Sequence, residues 1–416
     1  MSRGILKTIF QEHWSEFEKT HKVREVVSRE VDKMLKCRDI KQGYSEYCCP
    51  KCGEYKYVAF TCKSRFCTSC GKKATEDWVE RLSKELLNVP HRHIVFTIPE
   101  KLRKVFLKDR KLIKVLSDSA AETILSYLWE RSKKQRPTPG IVCVVHTFGR
   151  DLKWNPHIHA LVTEGALRKD KEWKVITFFH FEMLRKRWQH VLLKNLKRKL
   201  PKSREVKRMI DAMYREQKEG FYVHAKNRMR DAKGAAQYIG RYVSRPAMAE
   251  SRIKGYDGEN VEFWYERHDN GKRIDVVLPV SDFIGKLIRH IPDRQFKMVR
   301  YYGIYSRRRK TRAQVIMSVW KKYRKLQYKK TNWRRNIMKS FGHDPLSCPK
   351  CGGEMVLNDI VYKKYGSMLA RMKRRMFEAY EKEEKEILKS LGGQGEGGGL
   401  SLFGVWSQGN HTRRCS

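Results

Sequence analysis

Two Cys-x2-Cys knuckles are the tightest constraint in this chain: Cys49-x2-Cys52 is followed, fourteen residues on, by Cys67-x2-Cys70. Each knuckle presents two thiolates from one tight turn, so the pair can close a tetrahedral zinc site and stabilise a module with little core of its own. Gly53 and Gly71 directly follow the knuckles, where the turn favours a residue able to take positive φ. Cys62, through Cys62-x4-Cys67, and Cys37 are alternative ligands. Eleven cysteines in 416 residues are too few for a disulfide scaffold, so the expected ligand is metal. A third knuckle, Cys348-x2-Cys351, is trailed by Gly352 and Gly353 but has no adjacent partner knuckle. His343, or the distant pair His411 and Cys415, is then left to complete a second zinc site.

Charge narrows the partner. Lys and Arg number 91 against 46 Asp and Glu, a formal net charge of +45 with pI near 10.0. A chain this basic points to a polyanion, and nucleic acid is the obvious one. Hydrophobic residues at 40% and aromatics at 11% suffice for packed cores. The most conspicuous apolar run, Ile141 to Val145, is far short of the ~18 residues a membrane helix needs. The N-terminus is broken by Gln11, Glu12 and His13 and reads as no signal peptide, so a cytoplasmic, nucleoid-associated protein is expected. Beyond Arg300, Arg307, Arg308 and Arg309 precede Trp320 and Tyr323 set among lysines and arginines, a texture in which rings stack on bases while cations follow phosphates. No G-x4-G-K-[ST] occurs, so no nucleotide cofactor is expected.

The pattern of elements is α+β. Helices are expected over 1–36, 72–87, 101–133, 178–200 and 231–244. Strands are expected at Ile94 to Ile98, Ile141 to Phe148, Pro156 to Val162, Phe221 to Ala225, Val261 to Tyr265 and Ile274 to Leu278. The short connection through Arg150, Asp151 and Asn155 predicts an antiparallel hairpin. A mainly antiparallel sheet flanked by helices follows. Expected boundaries are helices with a zinc module over 1–90, a nuclease-sized α+β domain over 91–300, a basic region with the third knuckle over 301–391, and a Gly-rich flexible tail over 392–416.

Two small constellations carry chemistry. His157 and His159 stand two apart on a strand, so both imidazoles project from one face, a ready clamp for a divalent cation. His91 and His93 repeat the spacing at a strand entrance, flanking Arg92. Tyr238 and Tyr242, four apart around Ile239, Gly240 and Arg241, share one helix face. That face is also a complete apolar stripe with Ala235, Ile239 and Val243, so a core helix explains it too. Gly234 and Gly240 each cost a helix about 1 kcal/mol, easier to understand if something must come close.

Taken in order, these pieces resemble the two-tyrosine, His-hydrophobe-His transposases of rolling-circle insertion sequences. The resemblance runs from about Cys37 to Met355. It rests on the Cys49 to Cys70 module, His93 to Pro99, His146 to Gly149, Asn155 to His159, Tyr238 to Tyr242 and Cys348 to Gly353. The Gly-rich tail with Trp406 and His411 falls outside it. The resemblance implies a palm-like antiparallel sheet (the HUH endonuclease type) with the tyrosine helix packed across the histidines. It implies Mg²⁺ or Mn²⁺ on His157, His159 and a third ligand, for which His146 on the neighbouring strand and Asp151 in the turn are candidates. It implies nicking and rejoining of single-stranded DNA at transposon ends and target through a 5′-phosphotyrosine on Tyr238 or Tyr242, with Arg241 and Arg307 to Arg309 on DNA. Self-association into a homo-oligomer is compatible with it. A rolling-circle replication initiator shares both motifs, and a non-catalytic zinc-finger DNA-binding regulator would use neither.

Overall fold

The structure is a computed structural model that describes residues 4–176, 179–243, 247–267, 270–306 and 333–390. In chain order the strands are β1 (Gly43–Cys48), β2 (Tyr55–Ala59), β3 (His91–Phe96), β4 (Thr138–Phe148), β5 (Trp154–Leu167), β6 (Trp173–Val175), β7 (Val223–Met229), β8 (Ile253–Tyr256), β9 (Asn260–Glu266), β10 (Arg273–Pro279), β11 (Val299–Gly303), β12 (Val356–Tyr362) and β13 (Gly366–Ser367). The helices used below are α1 (Ile5–Thr20), α2 (Glu25–Leu35), α3 (Thr68–Glu85), α4 (Glu100–Lys108), α5 (Ile113–Arg131), α6 (Phe181–Lys199), α7 (Arg204–Glu216) and α8 (Ala232–Gly240). The fold is α+β with antiparallel sheets throughout. No described helix is long and apolar enough to cross a membrane.

Two compact units divide the chain: Met1–Leu35 with Lys63–Lys330, and Lys36–Cys62 with Thr331–Ser416. The N-terminal helices α1 and α2 therefore group with the large sheet, while the first knuckle groups with the third.

The large unit is built on a sheet of order β11-β4-β5-β3-β7, with β6 paired to β5. Period-two alternation gives this sheet two buried faces. Ile94 and Phe96 on β3, Ile141, Cys143 and Val145 on β4, and Ile158, Ala160 and Val162 on β5 pack on one face with Leu116 and Ile124 of α5 and Trp188 and Leu192 of α6. Val142, Val144 and Leu161 point the other way, toward Leu82 of α3 and Ala235, Ala236 and Ile239 of α8. Residues His146, His157, His159 and His93 continue this second face. A separate sheet of order β10-β9-β8 completes the unit. The smaller unit is a four-stranded sheet of order β13-β12-β1-β2 with the helix Met368–Ser390 after it.

The predicted β4–β5 hairpin is present, with His146 opposite His157 and Val144 opposite His159. The helical stretch 101–133 is two helices, α4 and α5, because Asp109 breaks it and its side chain accepts from the Lys111 N–H. The tyrosine helix stops sooner than its apolar stripe suggests: α8 ends at Gly240, and Tyr242 N–H and Val243 N–H bond to Ile239 and Gly240 in tightened i→i+3 turns.

Candidate metal and nucleophile site

Three imidazoles converge between β4 and β5. His146, His157 and His159 each offer a ring nitrogen, and these atoms all lie within 4.8 Å of one another. His157 Nδ1 donates to the Asn155 carbonyl at 2.6 Å, which leaves the Nε2 of a neutral ring as an acceptor. That Nε2 is 3.0 Å from His159 Nε2, a separation at which two imidazole nitrogens share either a proton or a cation. Burial pushes His146 and His159 well below the ordinary histidine range, and the neighbouring imidazoles push the same way. Neutral rings are what a divalent cation requires, so the donor set fits one. Asp151, the other third-ligand candidate, stays in the turn, where its carboxylate accepts from the Lys153 N–H at 3.2 Å.

Above the histidines lies Tyr242. Its ring stacks on His159 with centroids 3.7 Å apart and meets His146 edge-on at 5.9 Å. Tyr238 sits 6.0 Å from Tyr242 and touches His93 edge-on at 5.0 Å, with the exposed Arg241 guanidinium 5.2 Å over its ring. Burial, reinforced by Tyr238, raises the Tyr242 phenol to about 12, while Arg241 and Arg150 pull it down. Gly240 is where α8 crosses α3: a Cβ there would lie 2.2 Å from Val79 Cγ2. The close neighbour is thus a helix, not a ligand. Gly234 serves the other end, donating to the Asp231 side chain at 2.7 Å.

The sequence reading missed His93. It is buried on β3, pairs its Nε2 with His159 Nδ1 at 2.9 Å, and lies parallel to Tyr242 at 5.4 Å. Its motif was conspicuous, but only the β3–β5 pairing brings it to His159. His91, two residues earlier, is a core histidine held by the Val89 carbonyl and the Tyr305 hydroxyl, each at 2.8 Å. Also unforeseen is a cleft at the β4–β5 turn, lined by Arg103, Arg150, Lys153 and Arg267 with Tyr265 and Asn155, in which Glu266 pairs with Arg150 and Asp151 with Lys153. Arg307, Arg308, Arg309, Trp320 and Tyr323 lie outside the described residues, as do Trp406, His411 and Cys415.

The cysteines regroup. Cys49 Sγ lies 3.6 Å from Cys351 Sγ and Cys52 Sγ 3.6 Å from Cys348 Sγ, so the first and third knuckles face each other. A tetrahedron with 2.3 Å Zn–S bonds has edges of about 3.8 Å, so this set fits zinc. The expected set of Cys49 and Cys52 with Cys67 and Cys70 is therefore corrected. Antiparallel pairing of β1 with β12 aligns the knuckles across some three hundred residues, which spacing along the chain cannot reveal. Cys348 and Cys351 accordingly need neither His343 nor the tail. Cys67 caps α3 and Cys70 lies in its first turn, both buried in the large unit. Cys37 Sγ accepts from the Cys62 N–H at 3.4 Å within the smaller unit.

Two family models match the chain, and neither reaches Cys348 or Cys351. Residues 9–98 match a "Transposase zinc-binding domain" model of IS91 type, and residues 140–312 match a two-tyrosine model described as "Putative transposase". The two together span more than half of the chain. The chain belongs to the IS91-type transposase family. Among curated relatives, the transposase for insertion sequence element IS801 of Pseudomonas savastanoi pv. phaseolicola is 29% identical over 372 residues, 84% of this chain and 88% of its own. The "Putative transposase y4qJ" of Sinorhizobium fredii is 24% identical over 320 residues, 72% of this chain and 80% of its own. No solved structure matches. Family membership makes the molecule a DNA-processing protein, and the two family models fall on the cysteine-rich segment and on the histidine–tyrosine sheet.

Proposed function

We propose that this family member is a rolling-circle transposase that nicks and rejoins single-stranded DNA at transposon ends through a 5′-phosphotyrosine, on a palm-like sheet of the HUH type. The observation that supports it most is the stacking of Tyr242 on His159 within the three-histidine cluster. A core helix alone gives no reason to gather six ionisable rings, His93 and His159 among them buried, against one another.

His146, His157 and His159 would hold a divalent cation, which supplies Lewis-acid polarisation of the scissile phosphate. A donor set of three imidazoles and no carboxylate suits Mn²⁺ better than Mg²⁺. Tyr242 is the tyrosine nearest the cluster and attacks first. Its phenol gives up its proton as the oxygen bonds to phosphorus, the bond to the 3′ oxygen breaks, and that oxygen takes up a proton in turn and leaves as a 3′-hydroxyl. Tyr238, beside it on α8, then serves the second strand transfer, so no free 5′ end is released. The phosphotyrosine conserves the energy of the broken phosphodiester, so no nucleotide cofactor is required. Arg103, Arg150 and Lys153 would carry the DNA phosphates along the cleft to the hairpin turn. The zinc set of the smaller unit would hold a DNA-binding module for the transposon end, and Arg307 to Arg309 would add contacts.

Adduct formation tests this reading. Single-stranded end oligonucleotides with Mn²⁺ should give a protein–DNA adduct that survives denaturation. Tyr242→Phe should lower first-strand adduct at least a hundredfold, whereas Tyr238→Phe should keep it and fail in strand transfer. An adduct undiminished in the double Phe variant would place the nucleophile elsewhere.

A further inference from the structure

We propose that His93 is a positioning residue that sets the tautomer of His159, and thereby decides whether His159 can bind a cation; this rests on the three-histidine reading above. The geometry is a line of hydrogen bonds. The Asn155 carbonyl can only accept, so His157 carries its proton on Nδ1 and turns a bare Nε2 toward His159. Without a cation, the His159 Nε2 must bear a hydrogen to donate across that 3.0 Å gap, so its Nδ1 is bare and accepts from His93 Nε2–H at 2.9 Å. With a cation on both Nε2 atoms, the hydrogen of His159 must sit on Nδ1, and His93 Nε2 must accept it.

His93 alone makes both arrangements possible, because an imidazole can offer either a donor or an acceptor at the same atom. Three ring hydrogens are present in each arrangement, so all three imidazoles stay neutral and no proton enters or leaves. His93 Nδ1 is the atom that takes the displaced hydrogen, and it is buried with no hydrogen-bond partner. A buried nitrogen without a partner is destabilising and calls for an explanation. A partner fixed at Nδ1, such as a carbonyl, would lock one tautomer and forfeit the other. His91 shows the contrast: with the Val89 carbonyl on Nδ1 and the Tyr305 hydroxyl on Nε2, it has no freedom to exchange.

The test uses the full chain and Mn²⁺ binding followed by calorimetry or electron paramagnetic resonance, with Mg²⁺ for nitrogen-15 NMR of the ring tautomers. His93→Leu, which can neither donate nor accept, should weaken Mn²⁺ about 10- to 100-fold, the usual loss for a partner behind a metal-bound histidine. His93→Gln should restore most of that affinity, because its amide offers an oxygen or an N–H by turning over. In wild type, Mg²⁺ should move the His93 ring hydrogen from Nε2 to Nδ1. Equal Mn²⁺ affinity in the folded Leu variant, or an unchanged His93 tautomer on saturation, overturns the inference. Failure of the underlying reading looks different: the zinc-loaded His157→Ala variant would then bind Mn²⁺ with the wild-type affinity.

Discussion

Burial fixes the charge of the individual histidines, and this has a consequence for acid stability. Burial holds His91 and His290 each down to about 4, and His290 lies close enough to His146 to act on it. Their partners fit neutral rings: His290 Nε2 donates to the Leu152 carbonyl at 3.1 Å and its Nδ1 faces the Thr147 hydroxyl at 3.2 Å. A folded value below the ordinary 6.5 means that the unfolded chain takes up protons first as the pH falls. Stability from these two rings is therefore complete above about pH 6.5 and is lost toward about pH 4, on the order of 3 kcal/mol for each. Urea unfolding of the large unit across that range should show the loss, and His91→Gln should flatten it. A profile that stays level down to about pH 4 would mean that the rings are not held neutral. At this scale the sequence was readable where local spacing decides the outcome, as for His157 with His159 and Tyr238 with Tyr242. It was silent on His93, whose partner is a residue on another strand.

Among the elements, α8 shows how a helix end can serve a site. Gly240 permits α3 to approach at Val79 and ends the regular helix, and the tightened turn that follows leads to Tyr242 over His159. Gly240→Ala should cost about 1–3 kcal/mol by overpacking and should lower adduct formation along with stability. Val79→Ala removes the Cγ2 that the new methyl would strike, so the double variant should recover stability; the thermal midpoints of the two single variants and the double check this. Additive losses would show that the two side chains do not meet. The hairpin of β4 and β5 was legible because its connection is short and its strands alternate. The neighbourhood of β3 and β5 was not, since sequence periodicity assigns a strand to a face but never names its neighbour.

Across the whole molecule, zinc and charge make separable contributions. Structural zinc on four thiolates supplies folding free energy on the order of 10 kcal/mol. Cys52→Ser and Cys351→Ser should each remove one zinc equivalent and unfold the smaller unit, because both serve the same set, as metal analysis and limited proteolysis would reveal. Retained zinc in Cys351→Ser would break the grouping. The net charge of +45 predicts steep salt dependence of DNA binding, and reversing Arg150 and Lys153 to Glu should reduce the slope of log K against log salt by about two. The sequence by itself determined the α+β class, the basic partner surface, the two strands that carry the histidines and the face on which they project, because all of these follow from composition, from period and from spacing within one element. Tertiary structure alone decided that Cys348 and Cys351 face Cys49 and Cys52, that His146 rather than Asp151 reaches His157 and His159, and that His93 stands behind them. For the cysteines and for His93 the physical reason is the same: each depends on strands paired across long stretches of chain, where the free energy lies in burying shared surface and no local pattern records the neighbour. For His146 it is the register within the short β4–β5 hairpin that sets it opposite His157.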